Sequence, residues 1–142
     1  LCLYSKIARK IIVDARRTIH TLGVNSTPES IREFRKKVLD GNIPELKDLP
    51  KFVSDFYSLS ECRDLCFHVQ EHHFTTETVQ KLLNSHGLKF CGFMVTEQIK
   101  NLYQEIYPED SDMTSLTNWG RFEEEHPSTF TEMYQFWSQK AP

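Results

Sequence analysis

Apolar residues along this chain recur mostly every three to four positions, and only in three places do they cluster or alternate. Ile7, Ala8, Ile11, Ile12, Ala15 and Ile19 form one stripe of a helix predicted over 6–21, with Lys6, Arg9, Lys10, Arg16 and Arg17 on its other face. Ser5 is its expected cap and Gly23 its stop. Thr27-Pro28-Glu29 reads as an N-cap, a proline at the first helical position and an acidic first turn. Ile31, Phe34, Val38 and Leu39 follow before Gly41-Asn42 ends that helix. A short helix is expected over Pro50–Tyr57, then one capped by Ser58 or Ser60 with Leu59, Cys62, Leu65, Cys66 and Val69 inward. Thr76 opens the next, with Val79, Leu82 and Leu83 inside and Gly87 at its end. Glu97–Tyr107 and Thr114–Glu125 complete the helices.

The exceptions predict strands. Leu1–Tyr4 is short and apolar, and Leu88–Val95 is an almost continuous apolar run that reads as a strand buried on both faces. Met133–Lys140 alternates with period two. The expected class is therefore mostly α (α+β): a helix-rich chain with a small two- or three-stranded sheet, forming a single domain over 1–142.

Composition fits that picture. Hydrophobic residues are 39% and charged residues 26% of 142 positions, enough for a packed core. No apolar run approaches the roughly 20 residues of a membrane span, and no leader pattern is visible, so a cytoplasmic setting is expected. Cys2, Cys62, Cys66 and Cys91 are too few and scattered for a disulfide framework and read as reduced thiols. Net charge is −3 but unevenly spread: residues 1–37 hold nine Lys/Arg against three Asp/Glu. That basic third could mark a nucleic-acid surface, but it lacks interleaved aromatics for stacking bases and is the weaker reading.

Candidate chemistry is sparse. The five glycines, at 23, 41, 87, 92 and 120, form neither a dinucleotide-binding turn nor a P-loop, so no cofactor-binding residues are assigned. The densest polar cluster runs from Cys62 to Phe74. On a continuous helix His68 and His72 would share a face and could chelate a metal, but the spacing matches no standard zinc pattern and no metal is assigned. Glu71 beside His72 could do acid–base work or simply pair locally. Trp119, Phe122, Tyr134, Phe136 and Trp137 read as core, and Glu123-Glu124-Glu125 as a solvated helix face.

Four segments taken together, LCLYSKIAR (1–9), FYSLSECRDLCFHVQEHHFT (56–75), LKFCGF (88–93) and MYQFWSQK (133–140), resemble a bacterial family. It is the C-terminal portion of the class I S-adenosylmethionine-dependent methyltransferases often attached to tetratricopeptide repeats. The resemblance runs in order over nearly the whole chain. It implies that Leu1–Tyr4 ends the fifth strand of a Rossmann-like sheet, with the helix after it completing a first segment, 1–23. A helical insertion, 24–87, would lie over the substrate side. Leu88–Val95 and Met133–Lys140, within 88–142, would be the sixth and seventh strands, the seventh antiparallel beside the fifth. The family's glycine-rich turn and its acidic cofactor residue would lie upstream of Leu1, which begins without an initiator Met. S-adenosylmethionine is thus implied for the full-length family and not for this chain alone. Tyr57, Arg63, His68, Glu71 and His72 are the implied substrate-side positions, with no catalytic residue assigned. Three readings follow: a non-catalytic module that self-associates, as a homodimer, or joins an upstream half; a fragment of an active methyltransferase; and, more weakly, a nucleic-acid-binding helical protein.

Overall fold

The computed structural model describes residues 1–52, 54–67 and 70–141. Among them the fold is helix-rich α+β. In chain order the elements are β1 (Cys2–Ser5), α1 (Lys10–Thr21), α2 (Pro28–Leu39), α3 (Leu49–Phe52), α4 (Leu59–Phe67), β2 (His73–Phe74), α5 (Thr76–Ser85), β3 (Leu88–Phe93), α6 (Glu97–Ile106), α7 (Leu116–Glu125) and β4 (Met133–Lys140). One-turn 3-10 helices cover Pro44–Leu46 and Ser54–Tyr57. No helix of the described residues is long and apolar enough to cross a membrane.

The chain divides into two compact units. A helical unit comprises Lys10–Glu71; a sheet unit comprises Leu1–Arg9 and His72–Pro142. The division departs from the expected segments, because the first helix belongs to the helical unit and not with the strand before it. Lys6–Arg9 form a turn in place of the predicted first helical turn. There Ser5 Oγ accepts the Ala8 N–H at 3.1 Å and the Ser5 carbonyl accepts the Arg9 N–H at 3.0 Å. The polar cap is where expected, but the helix proper begins at Lys10.

The helical unit is held by the stripes the sequence lays out. Ile12, Ala15 and Ile19 of α1, Ile31, Phe34 and Val38 of α2 and Cys62, Leu65 and Cys66 of α4 join Leu46, Leu49 and Phe56 in one buried cluster. Thr27 caps α2, its side chain accepting the Ser30 N–H. Val69, expected on the α4 stripe, lies outside the described residues.

The sheet unit has strand order β2-β1-β4-β3. β4 runs antiparallel to both β1 and β3, with Leu3 opposite Tyr134 and Phe93 opposite Phe136. β1 and β3 are therefore parallel to each other and end on the same side. β2, which the sequence pattern does not announce, pairs parallel with β1 at Tyr4 and Ser5. It covers part of the outer edge of β1, leaving Cys2 and Leu3 without a strand on that side among the described residues. Alternation along β4 sends Tyr134 and Phe136 into the core and leaves Gln135 and Trp137 exposed. β3 alternates too, with Phe90 and Phe93 buried and Lys89 and Cys91 exposed. Its expected burial on both faces is thus corrected: only one face of this outer strand is packed. Between Phe90 and Gly92 the register slips, and Gly92 takes a φ of 132°, a conformation that favours glycine at such a bulge.

Helices α5 and α7 cover the packed face and approach closely at Gly120, where a side-chain Cβ would meet Thr76 Oγ1 at 2.5 Å. Trp119, Tyr103, Phe122, Phe93, Phe130, Tyr134 and Phe136 fill the core, Tyr103 stacking on Trp119 at 3.9 Å between centroids. Offset and edge-to-face rings of this kind contribute about 0.5–1.5 kcal/mol per pair beyond area burial.

Candidate functional site

In open α/β sheets, ligands gather beyond the carboxyl ends of the parallel strands. In the sheet unit that end is formed by Ser5, Phe93 and the start of β4 at Met133. A groove of about 990 Å³ opens there, with Phe93, Met94, Ile99, Met133 and Trp137 as apolar walls and Thr96, Lys100, Thr131 and Glu132 as polar lining. Its Trp137 is 66% exposed, unlike Trp119 at 1%. Trp137 is the exception to the expected core aromatics: its place in the alternation of β4 puts it on the uncovered face.

Three polar side chains meet in the core of the sheet unit. Ser5 Oγ donates to Glu123 Oε1, and the Tyr134 hydroxyl donates to Oε2 at 2.5 Å. Glu123 is 1% exposed, which corrects its assignment to a solvated face; Glu124 and Glu125 are exposed as expected. Burial pushes the Glu123 carboxyl above its ordinary range, against the two hydroxyls that favour its charged form. Burial and the Glu123 hydrogen bond likewise push the Tyr134 phenol up. The signal was present in the sequence: Leu116, Trp119 and Glu123 stand at i, i+3 and i+7, so the acid sits on the buried stripe of α7.

Arg9 is the other buried charge of this unit among the described residues. Its guanidinium lies over the Tyr4 ring at 4.5 Å and 3.4 Å from Glu132. Tyr103 donates to Asp110 at 2.5 Å, and Asp110 accepts the Thr114 and Ser115 N–H groups, fixing the loop into α7.

Of the five implied substrate-side residues, the four that are described, Tyr57, Arg63, Glu71 and His72, are not among those lining the groove. Tyr57 is exposed at the end of its 3-10 turn, its carbonyl accepting from Arg35, and Arg63 is exposed on α4. His68 lies outside the described residues. Glu71 is held within the helical unit by Arg16 Nη1 at 3.0 Å. His72 is exposed in the sheet unit, one residue before β2. Because α4 spans only Leu59–Phe67 and Gln70–His72 are not helical, the shared helical face proposed for His68 and His72 has no helix under it. Cys62 and Cys66 are buried core thiols. Their mutual hydrogen bond holds the Cys62 thiol below its usual range, with burial opposing and the Arg35 charge assisting.

Several cations of the basic N-terminal third lie beside carboxylates. Lys10 and Arg17 pair with Asp14, Arg32 with Glu29, Lys37 with Glu33, and Arg16 with Glu71. Lys10–Glu71 as a whole holds ten Lys/Arg and ten Asp/Glu.

No family model matches the chain, and no curated protein matches it.

Proposed function

We propose that these residues form the C-terminal, substrate-side module of a class I S-adenosylmethionine-dependent methyltransferase. The module is not catalytic by itself and works by association with cofactor-binding strands or with a second copy. The observation that carries this reading is the sheet order. An antiparallel strand lies between two parallel ones, β1-β4-β3, as the resemblance implies for fifth, seventh and sixth strands. The insertion in sequence of a helical unit after β1 and before the other strands also supports it. So does the sheet face on which Cys2, Gln135 and Trp137 are exposed. An exposed face and a half-open strand edge favour pairing with another chain or segment.

Calorimetric titration of S-adenosylmethionine into the purified chain, paired with light scattering on a sizing column, tests the proposal. The expected result is no cofactor binding at up to about 1 mM, the weak end of specific affinities, with a solution mass roughly twice 16.7 kDa. Micromolar cofactor binding by the chain alone overturns the non-catalytic reading. A monomer whose Trp137 is shielded from quenchers overturns the association reading.

A further inference from the structure

We propose that Glu123 is a proton-operated latch closing the end of the sheet where β1 finishes. The inference stands on the hydrogen-bond inventory and not on the methyltransferase reading. With Glu123 ionised, every partner is matched: Ser5 and Tyr134 each donate to one carboxylate oxygen, and Ser5 Oγ accepts the Ala8 N–H at 3.1 Å. The latch then ties β1, α7 and β4 through one side chain, and Ser5 in turn holds the turn after β1. When the carboxylate takes a proton from solvent, it gains an O–H that must be donated. Ser5 Oγ can accept it beside the Ala8 N–H, but the Ser5 proton then loses the acceptor it had. Protonation relieves a buried charge and loosens the three-way tie.

Among the described residues, the groups acting on that charge are the two hydroxyls and Glu124. β1 presents Ser5, β4 presents Tyr134, and α5 presents the neutral Thr76 across Gly120. α7 itself adds Glu124, whose charge disfavours ionisation of its neighbour. Arg9, in the turn after β1, faces Tyr4 and Glu132. The exposed charges of α5, Glu77 and Lys81, pair with each other at 2.6 Å. An acid buried without a cation holds its proton more tightly in the folded chain than in the unfolded one. The folded state therefore binds the excess proton, and its stability falls as pH rises through the folded titration. Ordinary salt-bridged carboxylates do the reverse.

The decisive experiment is a side-chain carboxyl NMR titration of Glu123 in the intact chain, with urea unfolding of the same protein between about pH 4 and pH 9. The Glu123 midpoint is expected above that of exposed glutamates, and stability is expected to fall across it. Glu123→Gln, which keeps an acceptor for Tyr134 and a donor for Ser5, removes that part of the slope while the histidine background stays. Ser5→Ala and Tyr134→Phe each remove a donor to the carboxylate and move the midpoint further up; Glu124→Gln moves it down. A Glu123 midpoint at or below about 4.3, or an unchanged slope in Glu123→Gln, overturns the latch. Should Tyr134→Phe not fold, the titration of the unsubstituted chain still decides.

Discussion

In the helical unit, Glu71 meets a guanidinium directly. Arg16 Nη1 reaches it at 3.0 Å while Nε and Nη2 both donate to the Leu65 carbonyl, at 3.0 and 2.7 Å. In the sheet unit, Glu123 meets two hydroxyls, with no cation paired to it among the described residues. The packing around them differs as well: the helical core is largely aliphatic residues and thiols, whereas the sheet core is a mesh of aromatic rings. The contrast shows two ways to keep an acid out of water. An ion pair fastens segments distant in sequence through charge. A hydroxyl-bound acid ties three elements together and leaves the fold sensitive to pH.

The largest expected effect tests the aromatic side of the contrast. Phe93 touches Phe90, Trp119, Phe130, Tyr134 and Phe136, all buried. Phe93→Ala is expected to cost about 3–5 kcal/mol by urea unfolding. Trp119 emission should shift to the red as its edge-to-face partner disappears. A loss below about 1 kcal/mol would mean that the rings close over the cavity and that the mesh is not tightly specified.

The ion pair comes next. Arg16→Ala removes the guanidinium from the Glu71 carboxylate, whose side chain is 8% exposed, and two hydrogen bonds from the Leu65 carbonyl. A loss of about 1–3 kcal/mol is expected. Arg16→Lys should recover only part of it, because a single ammonium cannot reproduce the fork on Leu65 and also reach Glu71. Full recovery by lysine would reduce the contact to a point charge.

Much of this was legible in the sequence, and the misses have physical causes. The stripes Ile12-Ala15-Ile19, Ile31-Phe34-Val38 and Cys62-Leu65-Cys66 all became core, because periodicity reports which face is buried. Glu123 was read as solvated from its charge, although its helical position put it inward; residue type outweighed geometry. β2 escaped because two residues carry no period, and only pairing with Tyr4 and Ser5 makes them a strand. The predicted helix over the Cys62 segment is α4, Leu59–Phe67, with Cys62, Leu65 and Cys66 inward as their spacing requires. The partition at Lys10 depends on contacts between distant segments, which no local pattern encodes.

A smaller effect sharpens the comparison at the helix caps. Thr75 and Thr78 form a reciprocal capping box at α5, whereas Thr27 caps α2 through its side chain and its Ser30 hydroxyl partner. Thr75→Ala is expected to cost about 1 kcal/mol and Thr27→Ala somewhat less, read from thermal melts. Equal losses would mean that the reciprocal bond back to the Thr75 N–H, at 2.8 Å, adds nothing measurable.

The smallest expected effect is an absence, and it bears on what the basic helices do. Residues 1–37 look cationic in sequence, yet five of their cations lie against carboxylates of the helical unit. Such pairing leaves few counterions to release when a phosphate backbone approaches. Fluorescence anisotropy with a labelled DNA duplex and a single-stranded RNA, at rising salt, should therefore give weak binding with a slope near zero. A steep negative slope would mean that these surface pairs open readily for phosphate, as weakly coupled exposed ion pairs can. It would revive the nucleic-acid reading. Charge reversal at Arg17 and Lys37 would then show whether the cleft of about 520 Å³ that both line is the point of contact.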